Sequence, residues 1–368
     1  MRTIICANCG FEIKNTVAYC PNCGSKIEKL EGENAKKEGA TSATRMIASK
    51  IAKGGEVVAQ KTKDAVSVSQ KTIINALDQD GNGEIDSADI ILLGLKVPGV
   101  KINRAEFLRK ELFKHYPEET IIEAIATTPA KAGIDSVVID KIADEVIKFE
   151  RNAVSGISAA LGMPGGVAMV ATIPADIAQY YGYMLRAAQK LLYLYGFPEL
   201  DTSEEAIQID SETLNCLTVC LGIMYGVAGA NNAIKAMAKA LASGVEKKLL
   251  NTALTKGTIY PIVKEVAKWF GKKMTKQVFA GFFKKAIPVI GGVVGGGITY
   301  ATFKPCCYRL KAALQDTMLS NPNHQSSVTE DKIFNNITNG IIDVDAEEII
   351  DKGDVAELKE FESDSDEE

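Results

Sequence analysis

The sequence predicts a mainly α protein: a multi-helix domain preceded by a small N-terminal β zinc ribbon and an EF-hand-like element. Three observations carry this. Apolar residues recur at helical spacing through most of the chain beyond residue 44, with few alternating runs. Aromatics are only 7% of the 368 residues while Gly and Ala are plentiful, which favours closely packed helices over a β-sandwich. Four of the eight cysteines stand in two CxxC pairs at the start. Apolar content of 46% and charged content of 24% are those of a globular protein able to bury a sizeable core, and the length suggests two or three domains.

The opening MRTIICANCG lacks the apolar stretch of a secretory signal, so a cytoplasmic setting is expected. Cysteines there take metal or core roles rather than disulfides. CANCG and CPNCG place Cys6, Cys9, Cys20 and Cys23 as two tight thiolate turns, a spacing that closes a tetrahedral zinc site. About 30 residues bury little core, so zinc must supply the folding energy. Residues 1–27 resemble the zinc-ribbon family, and FEIKNTVAY alternates well enough to form a hairpin between the knuckles. Four thiolates leave no open coordination position, so this zinc is structural. The ribbon's charges, Arg2, Lys14, Lys26 and Lys29 against Glu12 and Glu28, make only a thin basic patch.

Residues 28–43 are charged, dotted with Gly, and read as a linker. Residues 44–77 turn helical, broken or kinked at Gly54-Gly55, with lysines at 50, 53, 61, 63 and 71 opposite the apolar stripe. That stripe is either a core face with a solvated back or a helix that lies on an anionic membrane. LDQDGNGEIDSAD follows at once. Its oxygen-bearing residues Asp78, Asp80 and Asn82, the carbonyl of Glu84, Gly83 at the sharp turn and Asp89 at position 12 match an EF-hand or dockerin-type loop. Asp in place of Glu at position 12 reaches less far, which weakens calcium or admits magnesium. An EF-hand loop pairs through position 8, so Ile85 is expected to pair with Ile102 of a degenerate second loop, with Glu106 at its twelfth position.

Beyond residue 103 helices are expected at 104–115, 118–126, 136–161, 174–195, 203–228, 231–254, 258–272, 274–286 and 288–314. Three segments, Ala124–Asp135 (AIATTPAKAGID), Gly162–Leu200 (GMPGGVAMVATIPADIAQYYGYMLRAAQKLLYLYGFPEL) and Lys284–Phe303 (KKAIPVIGGVVGGGITYATF), resemble the EcsC protein family over about residues 105–315. That family is named after a bacterial protein encoded beside an ABC transporter. The resemblance implies a bacterial, all-helical domain with no established enzymatic activity. Ala286–Phe303 reaches the lower edge of a membrane span but is loaded with Gly, and reads first as a buried helix. Its Gly291/Gly295 and Gly292/Gly296 spacings suit close helix packing.

Within the family-like segment, TIPADI predicts a helix opening on Pro174, capped by Thr172, with Asp176 in the first turn. The functional alternative is a polar site of Asp176 with Gln179, Arg186 or Gln189. His115 and His324 are the only histidines, and no GxxxxGK[ST], HExxH or GxSxG pattern occurs, so P-loop, zincin and serine-hydrolase chemistry are not signalled. Cys216 and Cys220 read as small core residues, whereas adjacent Cys306 and Cys307 are expected to split between core and surface.

Charge is segregated. Lys235–Lys285 holds twelve lysines against Glu246 and Glu265, and Ile341–Glu368 holds thirteen acids against two lysines. The basic segment, carrying Trp269-Phe270, suits an anionic membrane surface. Nucleic acid is the weaker alternative, since Arg309 is the only arginine after Arg186. The acidic tail reads as disordered, either a cover for the basic face or a solubility tail. The organisation is thus ribbon 1–27, linker 28–43, helix with EF-hand-like element 44–114, EcsC-like domain 115–319 and acidic tail 320–368. The leading expectation is a non-enzymatic, peripheral membrane-associated or regulatory adaptor at the inner face of the membrane, with zinc and calcium or magnesium as cofactors and a protein partner. A nucleic-acid- or protein-binding adaptor using the ribbon is the alternative, and an enzyme around Asp176 the third.

Overall fold

The computed structural model of the chain describes residues 3–5, 12–14, 75–79, 81–161, 168–201, 211–271, 291–321 and 323–341. It divides into two units, Met1–Asp64 and Ala65–Glu368. In the first, strand β1 (Thr3–Ile5) pairs antiparallel with β2 (Glu12–Lys14), Ile4 opposite Ile13. Among the described residues the pairing therefore flanks the first CxxC instead of lying wholly between the two knuckles. Cys6, Cys9, Cys20 and Cys23 lie outside the described residues, as do the linker and residues 44–74.

The second unit is mainly helical among its described residues. Its helices are α1 (Ser87–Leu95), α2 (Arg104–Leu112), α3 (Glu118–Ala126), α4 (Ser136–Leu161), α5 (Ala168–Leu194), α6 (Ser211–Met224), α7 (Ala230–Ala242), α8 (Lys247–Thr255), α9 (Tyr260–Trp269), α10 (Gly291–Gln315) and α11 (Val328–Thr338). A single apolar cluster runs from Leu77 and Ile85 through α4–α10 to Ile333 and Ile337. The loop around Leu77 and Ile85 and helix α11 therefore share the core of the central helices. Residues 328–338, which the acidic pattern assigns to the tail, form α11, packed on α7 and α8. Residues 342–368 lie outside the described residues.

The longest helices build the centre. The apolar stripe of α4 (Ile139, Ile142, Val146, Ile147 and Val154 all buried) packs against α5 and α10. Helix α10 also touches α6 and α7, so both Cys306 and Cys307 are buried and the expected split does not occur. Both thiols fall on the part of α10 covered by its neighbours, while Tyr300, Lys304 and Tyr308 take its exposed face. Helix α1 crosses α5 at Gly94 and Gly182: a Cβ on Gly94 would meet Leu185 Cδ1 at 2.9 Å, and one on Gly182 would meet Gly94 O at 3.1 Å. Only hydrogen atoms fit at this crossing.

Two boundaries differ from the periodicity. The helix expected over 231–254 is two helices, α7 and α8, separated by a turn at Ser243-Gly244. Helix α5 begins at Ala168, so Pro174 lies inside it and neither Thr172 as cap nor Asp176 as first-turn acid is realised. The lost N–H costs one ladder bond, and the helix runs on through it. Buried Arg104 was not anticipated. It donates to Ile125 O (2.6 Å), Ala124 O (3.3 Å), Thr127 O (3.2 Å) and Phe197 O (3.0 Å). It thereby closes the C-terminus of α3, where carbonyls lack partners.

Candidate functional site

The Asp78–Asp89 loop is shaped by its own side chains. Asp78 Oδ1 and Oδ2 accept N–H groups of Gly81 (2.8 Å) and Gly83 (2.9 Å), and Asn82 Oδ1 accepts that of Glu84 (2.7 Å). Gly83 has φ +84°, the left-handed turn its position requires. Asp89 is buried, accepts Gln79 N–H at 2.7 Å and returns to Asp86 N–H at 2.9 Å, completing a capping box that starts α1. Asp at position 12 therefore has a structural use that Glu would overreach. Among the described residues no three His, Cys, Asp or Glu groups are gathered as a metal cluster; Asp80 lies outside them.

The second-loop expectation is overturned. Ile102 N–H donates to Gln189 Oε1 at 3.2 Å, while the Ile85 carbonyl faces Gly271 at the end of α9. The two positions have different neighbours, and no Ile85–Ile102 ladder exists. Gln189 is fully buried and also donates to Val100 O and Leu185 O, so it belongs to the fold.

The proposed polar site does not assemble. Asp176 accepts Ser158 Oγ at 2.7 Å. Arg186, about 15 Å farther along α5 at the helical rise, pairs with Glu150 Oε1 at 3.1 Å. Half-buried Gln179 lies between them on the same helix. Lys190 joins the same Glu150 oxygen at 2.6 Å, and Glu150 Oε2, completely buried, has no partner. These pairs are rungs between α4 and α5 rather than one constellation.

A third cluster binds α11 to α7. His324 is almost fully buried, with Nδ1 2.8 Å from Asp316 Oδ1 and Nε2 2.9 Å from buried Glu330 Oε2. Lys235 pairs with Asp316 at 2.6 Å, and Lys239 with Asp331 and Ser326. Burial by itself lowers the imidazole pKa, but the two carboxylate acceptors outweigh it and raise it. Lys235 and then His324 hold Asp316 low, and the Lys239 hydrogen bond holds Asp331 low. With both ring nitrogens engaged, His324 has no lone pair for nucleophilic or metal chemistry.

This accounts for part of the basic segment. Lys247 lies 3.8 Å from Glu212 and Lys268 3.4 Å from Glu265; residues 272–285 lie outside the described residues. Phe270 is fully buried, and Trp269 meets it edge-on and lies tilted against Tyr225 rather than standing outward. A different surface has cations without acids. Between α4 and α10 a cleft of about 240 Å³ is lined by Lys141, Lys148, Arg151, Lys304 and Tyr308, with Asp144 and Glu145. Asp144 is taken by Lys311 at 2.6 Å. Among the described residues none of Lys141, Lys148, Arg151 and Lys304 has a carboxylate partner. Arg151 lies 4.0 Å over the Tyr300 ring and Lys304 5.3 Å from that of Tyr308, and both rings are exposed.

A larger polar cleft, about 410 Å³, lies at the ends of α5 and α10, where Tyr195 donates to Asp140 at 2.7 Å. Burial, then Asp140, pushes that phenol up, so it stays protonated.

The α4–α10 cleft was missed because its cations are scattered over 160 residues. The signal was the i, i+7, i+10 spacing of Lys141, Lys148 and Arg151, which is one stripe of a helix. Compared with family models, curated proteins and solved structures, the chain has no match.

Proposed function

We propose that this chain is a non-enzymatic, EcsC-like binding protein that works as a peripheral adaptor on an anionic membrane surface. The observation that carries this is the α4–α10 face, where four cations with no acid partner among the described residues stand beside exposed Tyr300 and Tyr308. Cations there have no competing internal partner, and the rings suit the interfacial layer of a bilayer. Among the described residues no helix is long and apolar enough to cross a membrane, so attachment in this reading is peripheral. The zinc ribbon is structural, with Cys6, Cys9, Cys20 and Cys23 as ligands. The Asp78–Asp89 loop holds calcium or magnesium at the entry to α1.

Flotation of the full chain with neutral and anionic vesicles tests the function. Partition to anionic vesicles that falls with added salt is expected; no partition to either vesicle overturns it. For the loop, calorimetry with calcium and with magnesium should give a binding heat that Asp78→Ala removes, and silence of the wild-type chain with both ions would end the cation reading.

A further inference from the structure

We infer that the cleft between α4 and α10 is a binding site for a phosphate monoester group. This deepens the membrane-surface reading and rests on it. Lys141, Lys148 and Arg151 rise from one stripe of α4, and Lys304 faces them from α10, so four cations converge on one cleft. Its acids do not cancel them: Asp144 is neutralised by Lys311, which leaves only Glu145. Four positive groups against one free carboxylate favour a dianion over a singly charged diester.

The geometry favours phosphate over a diffuse charged surface. Arg151 Cζ lies 4.0 Å over the Tyr300 ring, and its neighbour Asn152 accepts from Nε at 3.4 Å and from Nη2 at 3.3 Å, contacts that hold the guanidinium in place. The Nη1–Nη2 edge of the guanidinium still presents N–H groups of the kind that match phosphate oxygens. Tyr308, pushed up by burial and by its hydrogen bond to Asp144, stays protonated and so adds no negative charge to the cleft. A volume of about 240 Å³ accepts a phosphoryl group and a few further heavy atoms, but neither an acyl chain nor a polymer. The lining holds no Ser, Cys or His, so the cleft binds without transferring the group.

The same chemistry is offered by a monoester lipid headgroup and by a free sugar or glycerol phosphate, and the experiment separates them. The full chain is floated with phosphatidylcholine vesicles carrying either phosphatidic acid or phosphatidylserine at matched surface charge. In parallel it is titrated with glycerol 3-phosphate by calorimetry. The expected result is a preference of about tenfold for the monoester vesicles, the scale of one charge-assisted bidentate contact. Arg151→Gln and Lys304→Gln should each remove most of that preference while keeping the wild-type melting temperature, and should lower partition to serine vesicles by a smaller factor.

Equal partition at matched charge, or a preference that both variants retain, overturns the monoester site and leaves the surface reading standing. If neither vesicle binds, the surface reading fails, and the titration decides alone. Heat that Arg151→Gln abolishes assigns the cleft to a free phosphate ester; no heat removes the site.

Discussion

Along α7 and α9 the paired lysines face acids, two of them from much later in the chain; across α4 and α10 Lys311 meets Asp144, but Arg151 and Lys304 face aromatic rings. Lys235 meets Asp316, and Lys239 meets Asp331, 81 and 92 residues away. Arg151 and Lys304 meet Tyr300 and Tyr308. Linear charge density ranks these regions the other way, because Lys235–Lys285 is by far the more basic stretch. A cation paired inside the fold contributes to holding helices together and little to the outer field. One without a carboxylate leaves its charge for a ligand.

The largest effect that can break this comparison is at Glu330. It is completely buried against His324, so Glu330→Ala strands a buried imidazolium on one side. A loss of about 3 kcal/mol is expected in denaturant unfolding, the scale for removing one partner of a buried pair. Hydrogen exchange should localise the loosening to 328–338. A loss no larger than that of a surface substitution would put these charges in the same class as the α4–α10 cations.

Asp89 asks the same question of an anion. Both its oxygens accept backbone N–H groups at 2.7 and 2.9 Å. Asp89→Asn replaces one acceptor with a donor facing an N–H, and a cost of about 2 kcal/mol is expected without added metal. Asp89→Glu separates the two uses of the residue. As a calcium ligand it would tighten binding; as a buried cap it would overpack and cost about 1 kcal/mol or more. Thermal melts with and without calcium read both.

A smaller effect is expected from pH, because Asp316 and Asp331 are half exposed and solvent screens them. The folded His324 pKa is raised above 6.5, so its contribution is complete below pH 6.5 and is lost as pH rises through the folded value. Asp316 and Asp331 are lowered below 3.8, so theirs is complete above pH 3.8 and is lost as pH falls through the folded values. The α7–α11 contact should therefore be firmest between pH 3.8 and 6.5. His324→Asn should flatten the upper limb of the stability–pH curve, and an unchanged limb would assign it to another group.

Much of the helical layout was legible: α3 and α4 fall on the expected residues because their stripes of Ile, Val and Ala are uninterrupted. The errors have local causes. Pro174 reads as a helix start, yet α5 tolerates it because packing on α4 and α10 outweighs one missing bond. SVTE at Ser327–Glu330 is a capping-box pattern, and Ser327 Oγ does accept Glu330 N–H at 3.1 Å. The surrounding acidity obscured it. The site was less legible than the fold, since ion pairing joins residues distant in sequence. No composition window distinguishes Lys239, which has an acid, from Lys304, which has none.

The smallest expected effect lies on the cleft. Arg151→Gln and Lys304→Gln should change unfolding free energy by no more than about 0.5 kcal/mol, as surface substitutions away from buried networks do. Lys239→Gln, by contrast, removes the partner of Asp331 and Ser326 and should loosen α11 measurably. The two kinds of variant remove the same formal charge, so any difference in stability arises from what each cation touches. Their expected effects on anionic-vesicle partition run the opposite way, strong for Arg151 and Lys304 and weak for Lys239. A crossed result, with both observables moving together at every site, would mean that total charge alone governs this surface and that the pairing pattern of the helices has no bearing on binding.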